Sequence, residues 1–596
     1  MTIITEIKKF FITGRFLLNT FRGYGKKFFI VTILGFLGGL SGAFGAGSLI
    51  PLFYLITGQQ IAGVDFVTRT IGSVFAFLHI PFTLPYLIAL MAALFIFKGV
   101  VQFSTKYLNQ KITTDFEIDA RFDVFKNTLQ SSWPYLLEHK LGFLEKLLMK
   151  EITIVSSVIS QISSIIFLSV NFAVYAFVAF KISPLITTMT AVFGAILFLA
   201  FRPTLKRMRK LSESIRIAEK QMAHFINESI VGSKIIKASA SEPEVVAVGK
   251  IYLKQFRDDA MKIFFYRSWV SSSLEPISFC FIAFLMFLNY RSPNFNIGAF
   301  AAIVYLIQRM FSFIQTGQVT VQDLFTNIPY VQSLIRYRKE VNSSQELETG
   351  GKFKFEEKIE FKDVKFSYTK GRKILTGINF VINRGEMVGL IGSSGSGKTT
   401  VADLLMQLFR PEEGEITVDG ENIASIKLQS WRKKIGYMPQ DPFLLNDTIE
   451  NNIRFYNSGM SSDEIMIAVK TANIYDFVEE LPEGLQTVIG ERGVKISAGQ
   501  RQRIMLARAL ARKPKILILD EATSALDNQS DMAIQKSIDN LRGKITILVI
   551  AHRLSTIMSS DRLLVLEKGK IIEEGAPDKL LADKDSHFYQ IYNILK

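Results

Sequence analysis

The sequence predicts a multi-domain chain in which an all-α domain of six membrane-spanning helices precedes an α/β domain. Three observations carry that expectation. At 596 residues the chain is too long for one hydrophobic core. Hydrophobic residues make up 48%, with 50 Phe and a mean hydropathy of +0.24, more than a wholly water-soluble chain usually carries. Runs apolar enough to cross a bilayer end near residue 317, and after a polar stretch the pattern turns to short apolar strands alternating with helical segments.

The first element, residues 1–27, is expected as an interfacial amphipathic helix. It places Ile3, Ile7, Phe10, Phe11, Leu17 and Phe21 at roughly helical intervals among lysines and arginines. Six apolar runs follow near 28–57, 84–105, 152–180, 184–201, 270–290 and 297–317. No small-residue cleavage site ends the first, so it is expected to stay as a span. Only Lys181, Ile182 and Ser183 join the third and fourth, which suits a tight hairpin. Lys8, Lys9, Arg15, Arg22, Lys26 and Lys27 precede the first span, and Arg202, Lys206, Arg207, Arg209 and Lys210 follow the fourth, whereas the loop 58–83 has only Arg69. That bias puts the N-terminus and the long loops in the cytoplasm.

After the fourth span, Leu205, Met208, Leu211, Ile215, Ala218, Met222 and Phe225 recur three or four apart. The spacing predicts a helix that continues on the order of 45 Å into the cytosol with one apolar stripe against a neighbour. Residues 106–151 form the matching first loop, and the alternative is a helical hairpin with no transmitting role. The polar stretch VNSSQELETGGKFKFEEK has two glycines and no apolar period. It is read as a linker over 341–356, closing a membrane domain at 28–340 and opening the α/β domain at 357–596.

A formal charge of +16 raises the question of nucleic acid, but the basic residues cluster beside apolar runs, as cytoplasmic flanks of membrane helices do. A nucleic-acid partner is therefore not expected. The single cysteine, Cys280, excludes an intrachain disulfide and a metal site built from cysteines, and is expected as a small buried hydrophobe.

In the α/β part, VKFSY, INFVI and EMVGLIG read as strands. The last runs into Gly392, Ser393, Ser394, Gly395, Ser396, Gly397, Lys398 and Thr399, with Thr400 opening the helical TVADLLMQLF. This is G-x-x-x-x-G-K-[ST] between a strand and a helix, the phosphate-binding loop. Its glycines let backbone N–H groups converge on phosphate oxygens, Lys398 brings a point charge and Thr399 a magnesium ligand, so ATP and Mg2+ are the expected cofactors. The apolar run from Lys515 to Leu519 ends in Asp520 and Glu521. A buried parallel strand explains the run but not the carboxylate pair. Asp520 suits a magnesium-holding acid and Glu521 a base polarising the attacking water, provided that the strand ends beside the phosphate loop.

Between these elements lies Ile496-Ser497-Ala498-Gly499-Gln500, followed by Arg501, Gln502 and Arg503, which resembles the LSGGQ-x-Q-R signature of the ABC transporter ATPases. The resemblance covers roughly residues 357–590. Ile496 for Leu is a mild departure, while Ala498 replaces a glycine and matters if that position needs positive φ. The resemblance implies that Ser497 and Gly499 meet the γ-phosphate of a partner's ATP, with Gln500 among the nucleotide-binding residues. It implies further that Tyr368 stacks on adenine, that Gln440 senses magnesium and the attacking water, that Asp527 crosses a dimer interface and that His552 contacts the γ-phosphate. Lys398, Gln440, Glu521 and His552 are thus the implied catalytic set, and Thr399, Gln440 and Asp520 the implied metal ligands. Taken singly, a strand tyrosine is more often core and a lone histidine more often structural; their order around the two motifs favours function.

The layout implies an exporter-type half-transporter that works as a dimer, since the signature of one copy closes the nucleotide site of the other. A homodimer with two competent sites is expected, and a heterodimer with a degenerate partner is the alternative. Glu491, in the segment TVIGERG, is implied as the contact with the cytosolic helix ends. LEPISFCFIAFL and YLIQRMFSF resemble spans of lipid-linked oligosaccharide flippases and, more distantly, of lipid A flippases. The expected cargo is an amphipathic or lipid-like substrate, with membrane lipids as partners and a bacterial inner membrane as the location. A multidrug exporter, an ATP-gated channel and a membrane-tethered ATPase are the competing readings. Glu275 and Arg309, ionisable at membrane depth, are expected to face a cavity or each other.

Overall fold

The computed structural model describes residues 2–57, 65–138, 141–289, 297–346, 350–369, 371–520, 528–550 and 554–595. It separates into two compact units, residues 1–131 with 135–345, and residues 132–134 with 346–596.

In lipid no water can satisfy a backbone N–H or C=O, so apolar runs of this length close their hydrogen bonds within helices. The first unit is accordingly built from α1 (Thr2–Gly47), α2 (Leu49–Thr57), α3 (Phe66–Phe77), α4 (Leu84–Leu129), α5 (Trp133–Glu138), α6 (Leu141–Lys146), α7 (Ile152–Ile182), α8 (Pro184–Val231), α9 (Ser233–Ala238), α10 (Glu242–Asn289) and α11 (Ile297–Ser343). Among the described residues, five helical stretches are long and apolar enough to cross a membrane: Gly23–Ile56, Leu84–Leu129, Phe143–Ile182, Pro184–Val231 and Glu242–Leu288. α11 equals them in length and opens on the apolar run of the sixth predicted span. Phe97, Phe103, Phe284 and Phe287 stand exposed on α4 and α10, as lipid-facing side chains do. α1 continues unbroken past residue 27, and α11 takes in the first residues of the predicted linker.

The hairpin between the third and fourth spans is tighter than the three residues predicted. Ser183 alone joins them, in extended conformation, and Pro184 opens α8 where its missing N–H costs nothing. α8 then runs for 48 residues. Met208 and Ala218 of its apolar stripe are buried and the other five are half-buried, so the stripe faces its own unit as the spacing requires. Cys280 departs from expectation, standing exposed on α10 rather than buried. Nor do Glu275 and Arg309 meet: Arg309 turns to Tyr305, while Glu275 lies exposed on α10.

Just before the apolar run of the third predicted span the helix changes pitch. Leu147–Glu151 form a π-turn in which the N–H of Ile152 donates to the carbonyl of Leu147, five residues back. In an α-helix, residues five apart sit about 140° apart around the axis. The wider turn brings Glu151 back to the side of Lys146, with Nζ 3.7 Å from the carboxylate. Glu219 of α8 completes the cluster, 3.3 Å from Lys146 and 2.6 Å from Lys150. Lys146, Glu151 and Glu219 are all buried, while Lys150 is half in solvent.

The second unit has two sheets. β1 (Lys358–Ser367), β2 (Lys373–Asn383), β4 (Glu413–Val418) and β5 (Glu421–Asn422) form an antiparallel sheet in the order β2-β1-β4-β5. β3 (Met387–Ile391), β6 (Ile435–Met438), β7 (Ile516–Asp520), β8 (Thr546–Ile550), β9 (Arg562–Glu567) and β10 (Lys570–Gly575) form the other in the order β10-β9-β3-β8-β7-β6, parallel except for β10. VKFSY and INFVI therefore belong to the antiparallel sheet, and EMVGLIG to the parallel one. Alternate residues of β7 enter different cores: Leu517 and Leu519 pack on one side of the sheet, Ile516 and Ile518 on the other. Burial on both faces explains the unbroken apolar run before Asp520.

The ion cluster makes a prediction that separates buried from exposed partners of one carboxylate. Glu219→Gln leaves buried Lys146 with Glu151 as its one carboxylate, beside the Arg216 carbonyl, and is expected to destabilise by roughly 3 kcal/mol. Lys150→Met removes a half-exposed partner and is expected to cost under about 1 kcal/mol. Thermal unfolding in detergent compares them, and equal losses would refute the burial argument.

Candidate functional site

β3 ends at Ile391, and the chain turns through Gly392–Gly397 into the helix Lys398–Leu405. Two glycines are dictated by geometry. Gly392 has φ +151° and any Cβ there would run into the carbonyl oxygen of Leu566; Gly397 has φ +111° and a Cβ would stand 2.8 Å from Leu375 Cδ2. Lys398 is buried and folds back over the turn, its Nζ donating to the carbonyls of Gly392 (2.9 Å) and Ser393 (3.0 Å). Ser396 Oγ is buried inside the loop with no hydrogen-bond partner among the described residues. A strand-to-helix turn with its amides at a helix N-terminus, a lysine tethered across it and an unspent hydroxyl fits a phosphate group.

The condition placed on Asp520 is met by topology. β3 and β7 both pair in parallel with β8, so the phosphate loop and Asp520 leave the sheet at the same edge. Asp520 is buried, and its charge reaches Asp403 on the helix after the loop and Tyr437 on β6. Burial first, and Asp520 second, push the Asp403 carboxyl up to about 6. Tyr368 lies just beyond β1 with its ring about half exposed. Gln440, two residues past β6, is exposed.

Ser497 caps the helix Ala498–Ala511. Its Oγ accepts from the N–H of Gln500 and its N–H donates to Gln500 Oε1, at 3.2 and 2.8 Å. Ala498 is the first helical residue and does not have positive φ, so the replaced glycine imposes no backbone strain. Glu491 is exposed in a short helical turn. Glu521, Asp527 and His552 lie outside the described residues.

Two neighbours of the site escaped the motif reading. Asp403 is one. Arg508 is the other: its guanidinium donates to the carbonyls of Phe443 and Asn452 (2.7 Å each), tying the segment after Gln440 to the signature helix, and burial lowers it to about 10. Asp403 falls one helical turn after Thr400, a spacing signal that was available; nothing local marked Arg508.

A second polar cluster lies in the first unit. Lys98 on α4 donates to the Tyr175 hydroxyl on α7 (3.0 Å), and both press against α1 where Gly42 leaves no room for a side chain. Arg309 on α11 donates to Tyr305 (3.2 Å) and is close enough to Lys98 for the two positive charges to act on each other. Among the described residues neither cation pairs with a carboxylate.

Residues 28–313 match the ABC transporter transmembrane region, and residues 375–524 match the ABC transporter ATPase family. An ATP-dependent lipid A-core flippase of Desulfotalea psychrophila is 33% identical over 532 residues, 86% of this chain and 90% of that protein. The chain is an ABC transporter. Another flippase of that name, from Coxiella burnetii, is 32% identical over 516 residues, covering 84% of this chain and 85% of its own. The transporter also shares its fold with a bacterial Atm1-family ABC exporter solved with ATP bound: the TM-score is 0.80 at 24% identity, over 96% of this chain and 99% of that one. It is thus an integral membrane protein with the fold of that exporter, a helical transmembrane region and an ATP-hydrolysing domain.

The raised Asp403 fixes the sign of a pH effect. An unfolded aspartate titrates near 3.8, so between roughly pH 4 and 6 the folded domain binds more protons than the unfolded chain, and this group's contribution to stability falls as pH rises. Asp403→Asn removes the buried charge. Without nucleotide, it is expected to raise the thermal midpoint of the ATPase domain at pH 7.5 and barely change it at pH 4.5; the same shift at both values would remove the charge as its cause.

Proposed function

We propose that this transporter is a homodimeric flippase that uses ATP to move a lipid with an anionic headgroup across a bacterial inner membrane. The observation that carries the substrate class is the pair Lys98 and Arg309, two cations at membrane depth with tyrosine hydroxyls beside them and no described carboxylate to neutralise them. A charge left unpaired in that setting is costly unless a ligand or water meets it. Phosphate on a lipid headgroup meets both cations at once, and the names of the flippase relatives agree with that chemistry.

On the ATP side, the amides of Gly392–Thr400 and Lys398 hold the phosphates, with Tyr368 stacking on adenine. Thr399, Gln440 and Asp520 hold Mg2+, which when bound neutralises phosphate charge. Glu521 polarises the attacking water, Gln440 senses it, and His552 contacts the γ-phosphate. Ser497, Gly499 and Gln500 of a second copy close the site near Asp527, so one copy alone is incomplete. Closure draws the two ATPase domains together, and Glu491 passes that motion to the cytosolic helix ends.

Two experiments test the reading. Glu521→Gln is expected to keep ATP binding while turnover falls at least about a hundredfold, and undiminished hydrolysis would remove Glu521 from its role. In proteoliposomes, phosphate-bearing lipids are expected to stimulate hydrolysis, and Lys98→Ala or Arg309→Ala to raise the half-maximal lipid concentration about tenfold. Equal stimulation of both variants and the wild type would overturn the cation assignment.

A further inference from the structure

We infer that Asp403 is a positioning residue for the nucleotide base, acting through Tyr368. This rests on Tyr368 as the adenine platform.

A stacking platform raises affinity most when its ring is already in place before the ligand arrives, because the ordering cost then falls on the fold rather than on binding. Two phenylalanine rings pack against the Tyr368 ring. Phe366 lies 4.9 Å away at 88° and Phe409 5.1 Å away at 85°, both edge-to-face, and about half of the residue stays open. Two rings restrict tilt but not rotation about the long axis of the side chain or sliding along it. The hydroxyl supplies that restraint. It lies 3.0 Å from Thr400 Oγ1 and 3.4 Å from Asp403 Oδ2.

Thr400 and Asp403 stand three apart on the helix Lys398–Leu405, hence on one face, and that helix is the one that grows out of the phosphate loop. The platform is therefore pinned to the element that grips the phosphates. Asp403, as an acceptor, fixes the direction of the chain: the tyrosine O–H donates to the carboxylate, leaving its lone pairs for the Thr400 hydroxyl. The distance between the base platform and the phosphate cradle is then set by side chains of known length rather than by the loop Tyr368 sits in.

The test is steady-state ATP hydrolysis by the full-length transporter in proteoliposomes, with thermal midpoints as a folding control. Tyr368→Phe keeps the ring and loses the hydroxyl; Asp403→Ala keeps the hydroxyl and loses its acceptor. Each is expected to raise KM for ATP about fivefold with kcat unchanged, and the double variant to be no worse than either single one. Asp403→Asn, which retains an acceptor oxygen, is expected to recover most of the loss seen with alanine. A wild-type KM in Asp403→Ala, multiplying effects in the double variant, or an asparagine variant as weak as alanine would each overturn the inference. Tyr368→Ala separates the two levels: if it leaves KM unchanged, the adenine platform itself is wrong; if it raises KM while Asp403→Ala does not, only the positioning role falls.

Discussion

A tight turn at a helix N-terminus concentrates unpaired N–H groups and needs an anion or side chains to steady it, and the second unit is organised around such a turn. Gly392 and Gly397 adopt conformations closed to other residues, against the Leu566 carbonyl and Leu375. Lys398 braces the turn from inside through two of its carbonyls. The parallel pairing β3-β8-β7 then fixes where Asp520 emerges, and the helix after the turn fixes Asp403, Thr400 and, through them, Tyr368. Each piece of the site is located relative to the turn, so its dimensions are those of one sheet edge and one helix start.

Much of this was legible because it rests on local periodicity. The 3.6-residue stripe of α8 predicted both its length and its buried side, and the flanking order of strand, glycine loop and helix placed the phosphate cradle. What stayed hidden depends on contacts between segments far apart in sequence. VKFSY and INFVI read as strands, yet nothing in them said that they would pair with each other in a separate antiparallel sheet. Ala498 looked like a lesion in the signature; its backbone is unstrained, because it opens a helix that Ser497 and Gln500 cap and needs no positive φ. Of the two settings expected for Glu275 and Arg309, mutual pairing is not found: Arg309 turns to Tyr305 on its own helix and Glu275 stands exposed, and hydropathy does not encode which way a side chain turns.

The helical unit treats its charges in two ways. Before the third span, buried Lys146, Glu151 and Glu219 are balanced once half-exposed Lys150 is counted, which is how a structural ion cluster survives loss of water. Deeper in the apolar region, Lys98 and Arg309 reach only hydroxyl groups. One bundle thus holds both kinds of group: charges that meet opposite charges, and cations that among the described residues meet hydroxyls alone.

The π-turn at Leu147–Glu151 has a reach beyond its own cluster. It holds one residue more than an α-helical turn would, so all of α7 beyond it is set about 100° round its axis from where an unbroken helix would put it. Val155, Val158, Ile159, Tyr175 and Val178 are buried only in that setting. The choice of which flank of the third span greets lipid and which greets its neighbours is thus made ahead of the span, by five residues, and shortening that segment by one would repaint the whole length of the helix.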